Sequence, residues 1–198
     1  MNCEHGRQPS QARRQILVSG IGGQGVLFVS RLLADAAIGK GFSVLTSEIH
    51  GMAQRGGTVV SHLKVGGFAG PLIREGQACG LIVLKDENLI PHSRFLSPSG
   101  WAVVNSKSAA AETGFPVHVI DAEGLAREAG YARGVNLVLL GFLSSRLGAD
   151  LENGGLFCSE DDLRRAIERK FAREQRLLDE SVAAFDLGIR YGKEQGIN

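Results

Sequence analysis

The chain is short of the residues that carry most redox chemistry. Its 198 residues include only three cysteines, Cys3, Cys79 and Cys158, far apart and without a CxxC pair. That spacing excludes an iron–sulfur cluster or a structural zinc held by this chain alone and makes free thiols the reading. An excess of one charge is also missing: 22 Lys and Arg face 21 Asp and Glu, a formal +1. No basic stripe marks a nucleic-acid partner. No apolar run approaches the roughly 20 residues that span a bilayer, and the opening Met1–Ser10 lacks the hydrophobic segment of a secretory signal. The expectation is a cytoplasmic protein with no membrane partner. Aromatic residues are few, and the single tryptophan, Trp101, reads as an anchor in the core or at a sheet edge.

Glycine is what the chain has in excess. Its 27 glycines are nearly twice the usual share of about 7% and suggest backbone packed closely against something. The length suits one well-cored domain. Residues 1–14 read as a flexible polar tail, and 15–198 as a single domain.

Gln15–Ser19 is a short apolar run ending in glycines, as in a buried strand. Val26, Val29, Leu33, Ala36 and Ala37 follow at helical spacing, and Phe42–Thr46 returns as a second strand. Strand, helix and strand in so short a stretch predict a βαβ unit and a parallel sheet. Thr58–Val65 alternates and reads as a half-buried strand. Gly80–Leu84, Trp101–Asn105 and Val117–Ile120 read as further strands, with a short helix over Glu87–Leu96 interrupted at Pro91. Asn136–Arg146 is apolar almost all round and should be a buried helix. Ser159–Asp162 caps a stripe of Leu163, Ile167, Phe171, Leu178, Val182, Phe185 and Ile189. That stripe predicts one helix of about thirty residues, disturbed only near Glu174, lying across the sheet or partly on a partner. The fold class is α/β and Rossmann-like: a mostly parallel sheet with helices on both faces and a helical C-terminal extension.

Gly20-Ile21-Gly22-Gly23-Gln24-Gly25 satisfies GxGxxG between the first strand and the first helix. Such a turn bends sharply, admits close approach, and points helix-terminal N–H groups at an anion. Glu48 even stands about 20 residues beyond Gly25, where a dinucleotide enzyme keeps its ribose-binding acid. The motif alone leaves a dinucleotide, another anion and pure packing all open.

The segment Ser47–His62 follows the second strand, at the carboxyl edge where open α/β sheets bind ligands and partners. It gathers Glu48, His50 and Arg55 among glycines, and Arg55 before Gly56-Gly57 can present an unhindered fork to a carboxylate or phosphate. An Arg55–Glu48 pair that staples the loop is the structural alternative. His50 and His62 lack a third ligand, so no metal site is expected.

Taken together, Gly20-x-Gly22-Gly23-Gln24-Gly25-Val26 and Ser47-Glu48-Ile49-His50-Gly51-Met52-x-x-Arg55-Gly56-Gly57 resemble the gamma-type domain of the 2-oxoacid:ferredoxin oxidoreductases. The form of the second motif is most similar to the beta subunit of the indolepyruvate type. The resemblance spans roughly residues 15–190 and includes Asn136…Gly141 and Ala184-Phe185-x-x-Gly188. Three places depart from the family pattern: Cys79-Gly80, Lys85-Asp86-Glu87, and Ser181 in place of an asparagine.

The resemblance implies a non-redox subunit supporting oxidative decarboxylation of a 2-oxoacid, indolepyruvate or another arylpyruvate, to acyl-CoA with electrons passed to ferredoxin. It implies no cofactor bound by this chain alone. Thiamine diphosphate, magnesium and iron–sulfur clusters would sit on a large partner subunit, with coenzyme A as co-substrate and ferredoxin reached through the complex. Glu48, His50, Arg55, Gly56 and Gly57 are then candidates for the active-site cleft or partner contact. Gly20, Gly22, Gly23, Gln24 and Gly25 would support packing or hold an anionic tail, and no catalytic residue is assigned. Two other readings stay open: a stand-alone Rossmann-type dinucleotide-binding oxidoreductase, and a homo-oligomeric binding module.

Overall fold

The computed structural model describes residues 13–51, 56–108, 113–149 and 154–196, with the His50 side chain excluded. Six strands form one sheet: β1 Arg14–Ile21, β2 Val44–His50, β3 Thr58–Val65, β4 Ala78–Val83, β5 Leu96–Asn105 and β6 Val117–Ile120. The helices are α1 Val26–Gly39, α2 Leu89–Ser93, α3 Ala122–Glu128, α4 Val135–Leu147, α5 Glu160–Phe171 and α6 Gln175–Glu194.

The sheet order is β2-β3-β1-β4-β5-β6. β1, β4, β5 and β6 are mutually parallel, whereas β3 runs antiparallel to both β1 and β2. The predicted β1-α1-β2 unit therefore exists, but its strands are not neighbours. The reason is the connection 51–57, too short for a crossover of a dozen or more residues, so β3 must fold back on β2 as a hairpin. β2 also runs further than the sequence suggests, through Glu48 to His50.

β3 corrects a second expectation. It is buried on both sides rather than half-buried. Val59, Leu63 and Val65 face the main core, while Val60, His62 and Lys64 lie on the other side beneath the segment 66–77. There the Ile73 N–H donates to His62 Nδ1 at 3.1 Å, which covers a polar residue that alternation assigned to solvent.

The two sheet faces are covered unequally. α1, α4, α5 and α6 bury the main core, where Leu33, Leu139, Phe157, Ile167 and Phe185 are inaccessible to solvent or nearly so. Among the described residues, α2, the segment 66–77 and Phe115 close the second face over Leu17, Leu81, Val83 and Val104. Pro91 lies within the first turn of α2, where its missing N–H costs nothing. Trp101 is buried as expected, with Nε1 donating to the Gly154 carbonyl at 3.0 Å.

The predicted thirty-residue helix is two helices. Glu174 is extended, with φ −133° and ψ 78°, and separates α5 from α6. No Gly or Pro marks the break, which shows in the sequence only as the disturbance of the apolar stripe near Glu174. The break lets α5 pack on α1 while α6 packs on α4. The stripe is spent inside the molecule: Leu163, Ile167 and Phe185 are fully buried.

The α4–α6 contact is glycine-dependent. A Cβ at Gly141 would stand 2.0 Å from the Phe185 carbonyl oxygen, and one at Gly188 would stand 2.0 Å from that of Val138. These are backbone atoms and cannot step aside. Gly188→Ala should therefore cost about 3 kcal/mol or prevent folding, whereas Ala183→Gly on the same helix should cost about 1 kcal/mol; urea denaturation separates the two.

The start of α5 holds a capping box. Ser159 Oγ accepts from the Asp162 N–H at 3.2 Å, and the Asp162 carboxylate accepts from the Ser159 N–H at 2.9 Å. Burial pushes the Asp162 pKa up, but the Ser159 hydrogen bonds and Lys40, 3.2 Å away, outweigh it and hold the pKa at about 2. A depressed carboxylate stabilises the fold above its unfolded pKa near 4 and loses that contribution as pH falls towards 2. Asp162→Asn should cost roughly 2 kcal/mol at pH 7, and thermal melts should show the difference shrinking between about pH 4 and pH 2.

Candidate functional site

The glycine turn links β1 to α1 at the carboxyl edge of the sheet. Its shape is set by Gln24, whose Oε1 accepts from the Ile21 N–H at 2.9 Å while its own N–H donates to the Ile21 carbonyl at 3.1 Å. Gln24 Nε2 reaches the Leu84 carbonyl at 3.4 Å, tying the turn to the end of β4. Gly20 is required because a Cβ there would lie 2.9 Å from both Gln24 Oε1 and Val26 Cγ2. Gly25 caps α1 in the left-handed region, at φ 81°. A Cβ on Gly25 would also strike Asn136 Nδ2 at 2.3 Å.

Asn136, at the start of α4, donates from that Nδ2 to the Gln24 carbonyl at 2.9 Å. The turn is thus filled from within by two amides of this chain, Gln24 and Asn136. These contacts account for Gly20 and Gly25 by packing. Gly23, at φ 93°, stands in open space.

The second glycine-rich segment meets the first. The Gly22 N–H donates to the Gly57 carbonyl at 3.0 Å, and the Gly51 N–H closes the hairpin on the Thr58 carbonyl at 2.8 Å. Gly56 is in the left-handed region, at φ 71°. Thirty-odd residues apart in sequence, the two motifs form one continuous edge. Glu48 and His50 are not in a loop, as the sequence suggested, but in β2, paired with Ser61 and Val59 of β3. Glu48 is exposed, and so is its neighbour Ile49. Arg55, with Met52, Ala53 and Gln54, lies outside the described residues.

This arrangement departs from dinucleotide geometry. In a Rossmann pair the ribose-binding acid stands on the strand next to β1. Here β3 lies between, so the β2 strand that bears Glu48 is two strand spacings, roughly 10 Å, from β1.

Sequence reasoning missed a polar cluster beneath the turn. Ser19 Oγ meets His92 Nδ1 at 2.8 Å, and Asn88 Nδ2 donates to Ser19 Oγ and to the Gly20 carbonyl, both at 3.1 Å. Burial, then Arg94, lowers the His92 pKa, which favours the neutral ring in this pair. Ser19 is wholly buried, so its hydroxyl is a strut and not a nucleophile. Its partners lie some seventy residues away, with no local pattern to announce them.

The departures from the family pattern fall into different environments. Cys79 Sγ donates to the Gln15 carbonyl at 3.2 Å, and burial raises its pKa, so it is an unreactive thiol. Lys85 pairs loosely with Asp86 and Glu87 at the surface. Ser181 lines a cleft of about 850 Å³ together with Phe28, Tyr131, Arg133, Asn136 and Arg176. Asn136 thereby joins that cleft to the glycine turn. Among the described residues no group of three His, Cys, Asp or Glu side chains can hold a metal, and no helix is long and apolar enough to cross a membrane.

Comparison with known proteins gives a consistent result. The family described as pyruvate ferredoxin/flavodoxin oxidoreductase matches residues 15–191. The indolepyruvate oxidoreductase subunit IorB of Methanothermobacter thermautotrophicus is 30% identical, covering 88% of this chain and 95% of that protein. The IorB subunit of Archaeoglobus fulgidus is 41% identical over 95 residues, which span 48% of this chain and 47% of that protein. Among solved structures, a 2-oxoglutarate:ferredoxin oxidoreductase from Magnetococcus marinus, with 2-oxoglutarate, coenzyme A and succinyl-CoA bound, superposes with a TM-score of 0.73. It is 21% identical and covers 92% of this chain but only 31% of its own, so it establishes the fold.

The geometry makes Asn136 the latch of the turn. Asn136→Ala would leave the Gln24 carbonyl unpaired beside a small void and should destabilise the protein by about 1–3 kcal/mol. Hydrogen exchange should then rise at the first turn of α1 and not in β5.

Proposed function

The chain belongs to the pyruvate ferredoxin/flavodoxin oxidoreductase family, and on that premise we propose that it is the small, non-redox subunit of a ferredoxin-linked 2-oxoacid oxidoreductase. An arylpyruvate of the indolepyruvate kind is the substrate class, by likeness to the IorB subunits. The observation that carries this reading is the hydrogen bond from Gly22 to Gly57, which welds the two family motifs into one edge. In the overall reaction the bond between the keto carbon and the carboxylate breaks and carbon dioxide leaves. The acyl group forms a thioester with coenzyme A, and two electrons pass to ferredoxin.

The chemistry needs thiamine diphosphate with magnesium and iron–sulfur clusters, and on this reading a large partner subunit carries them. Among the described residues no group of three His, Cys, Asp or Glu side chains could hold a metal. The role of this chain is to complete the enclosure. Its carboxyl edge, with exposed Glu48 and Ile49 on edge strand β2, faces the partner. Arg55, framed by Gly51 and Gly56, presents a guanidinium to the substrate carboxylate or to a phosphate of coenzyme A. The complex works in the cytoplasm, where ferredoxin is reduced.

Arg55→Ala tests the assignment in the assembled enzyme. Loss of one charge-assisted hydrogen bond should lower kcat/KM for the 2-oxoacid or for coenzyme A by roughly 10- to 100-fold. Assembly should stay intact by gel filtration. Unchanged kinetics with intact assembly would reduce the loop to a structural role.

A further inference from the structure

A group of cations with no ion-paired carboxylate among the described residues lies on the second sheet face, at the end opposite the glycine turn. Lys64 is near the end of β3, paired with Gln15 of β1 and Leu45 of β2. Its side chain is 8% exposed, and its Nζ stands 5.0 Å from the centre of the Phe68 ring. The Arg13 guanidinium stacks over that ring at 4.2 Å. Arg74, on the segment that crosses this face, is close enough to repel the Lys64 ammonium electrostatically. Among the described residues none of the three has a carboxylate within ion-pair distance, while nearby Arg94 does, on Glu75 at 3.2 Å.

Neighbouring like charges with no acid paired to them among the described residues are unfavourable in the free protein. The strain is visible: burial, then Arg74 and Arg13, lowers the Lys64 pKa. The same field, after burial, keeps neighbouring His62 neutral, and its Nε2 is a buried atom without a hydrogen-bond partner. An evolved fold disperses such a group unless an anion resolves it.

We infer that Arg13 and Lys64, both stacked on Phe68, together with Arg74 from the crossing segment, form a binding site for a compact multivalent oxyanion of the phosphate class. A monoanion would leave two positive charges uncompensated, whereas a phosphate or diphosphate balances most of them. The guanidiniums offer planar forks and the buried Lys64 a point charge, a mixture suited to tetrahedral oxygens. Phe68 fixes the cations by their flat and apolar parts and takes no hydrogen bond from the ligand. The site stands at the far end of β1 from the glycine turn, roughly 20 Å away, and is separate from the edge assigned to the partner.

The test is a thermal-shift and calorimetric titration of the full chain with inorganic pyrophosphate and phosphate, at ionic strength held constant with sodium chloride. Pyrophosphate should raise Tm by about 5 °C or more at a hundredfold excess over Kd, and more strongly than monovalent acetate. Lys64→Gln should weaken binding at least tenfold. Because Lys64 is partly structural, the double variant Arg13→Gln with Arg74→Gln, both exposed, provides the same readout on an undisturbed core. The charge-matched double variant Arg127→Gln with Arg173→Gln should bind like the wild type. The inference is overturned if sodium chloride alone reproduces the shift, or if the Arg13/Arg74 and Arg127/Arg173 variants lose affinity equally. It also fails if acetate binds as well as pyrophosphate, which would make the site a general sink for anions.

Discussion

A strand that runs backwards governs the carboxyl edge of this molecule. β3 lies antiparallel between β2 and β1, so the loop leaving β2 comes back alongside the loop leaving β1. That juxtaposition lets the Gly22 N–H find the Gly57 carbonyl. The glycines around the bond are consequences of it. At Gly51 a Cβ would be 3.1 Å from the Thr58 carbonyl, and at Gly20 side-chain atoms already occupy the space. Inserting β3 also moves β2 away from β1, and with it the acid that a dinucleotide enzyme would set beside its glycine turn. One topological choice thus builds a two-loop edge and dismantles a ribose site.

The edge needs a rigid support, and the helices supply it. α4 carries Asn136 at its first turn, where it holds the Gln24 carbonyl. α4 itself is fixed against α6 by contact of backbone with backbone at Gly141 and Gly188. A line of close contacts therefore runs from the C-terminal helix through α4 to the glycine turn. The family-like residues Asn136, Gly141, Ala184, Phe185 and Gly188 all lie on it. Their role in this line is positional: they set where the turn sits. The second face, which no long helix covers among the described residues, is the less committed side of the protein, and there the cations around Phe68 are found.

Much of this was legible in the sequence, for physical reasons. β1, α1, β4, β6 and α4 announce themselves because each is bounded by glycines or a cap and has a clear apolar period. The order of the two glycine motifs was enough to suggest the family. The sheet order was not legible, since periodicity identifies a strand but not its neighbours, and nothing local reveals that β3 separates β1 from β2. His62 and Lys64 alternate like solvent-facing residues, yet the segment 66–77 covers them. The disturbance near Glu174 was legible, but not that it ends a helix, because no Gly or Pro marks it and the apolar residues resume beyond it. The Ser19–Asn88–His92 cluster joins residues from β1 and α2 that no spacing rule connects.

In the proposed role, a protein arranged in this way contributes shape and charge to a reaction whose electron carriers are held by a partner subunit. The most direct measurement is reconstitution with the thiamine- and cluster-bearing subunit from the same cells, followed by ferredoxin reduction with indolepyruvate and coenzyme A. The account predicts no turnover from either polypeptide alone and full turnover, with a stable heteromer, on mixing. Turnover by this chain unaided, or undiminished activity of the large subunit without it, would contradict it.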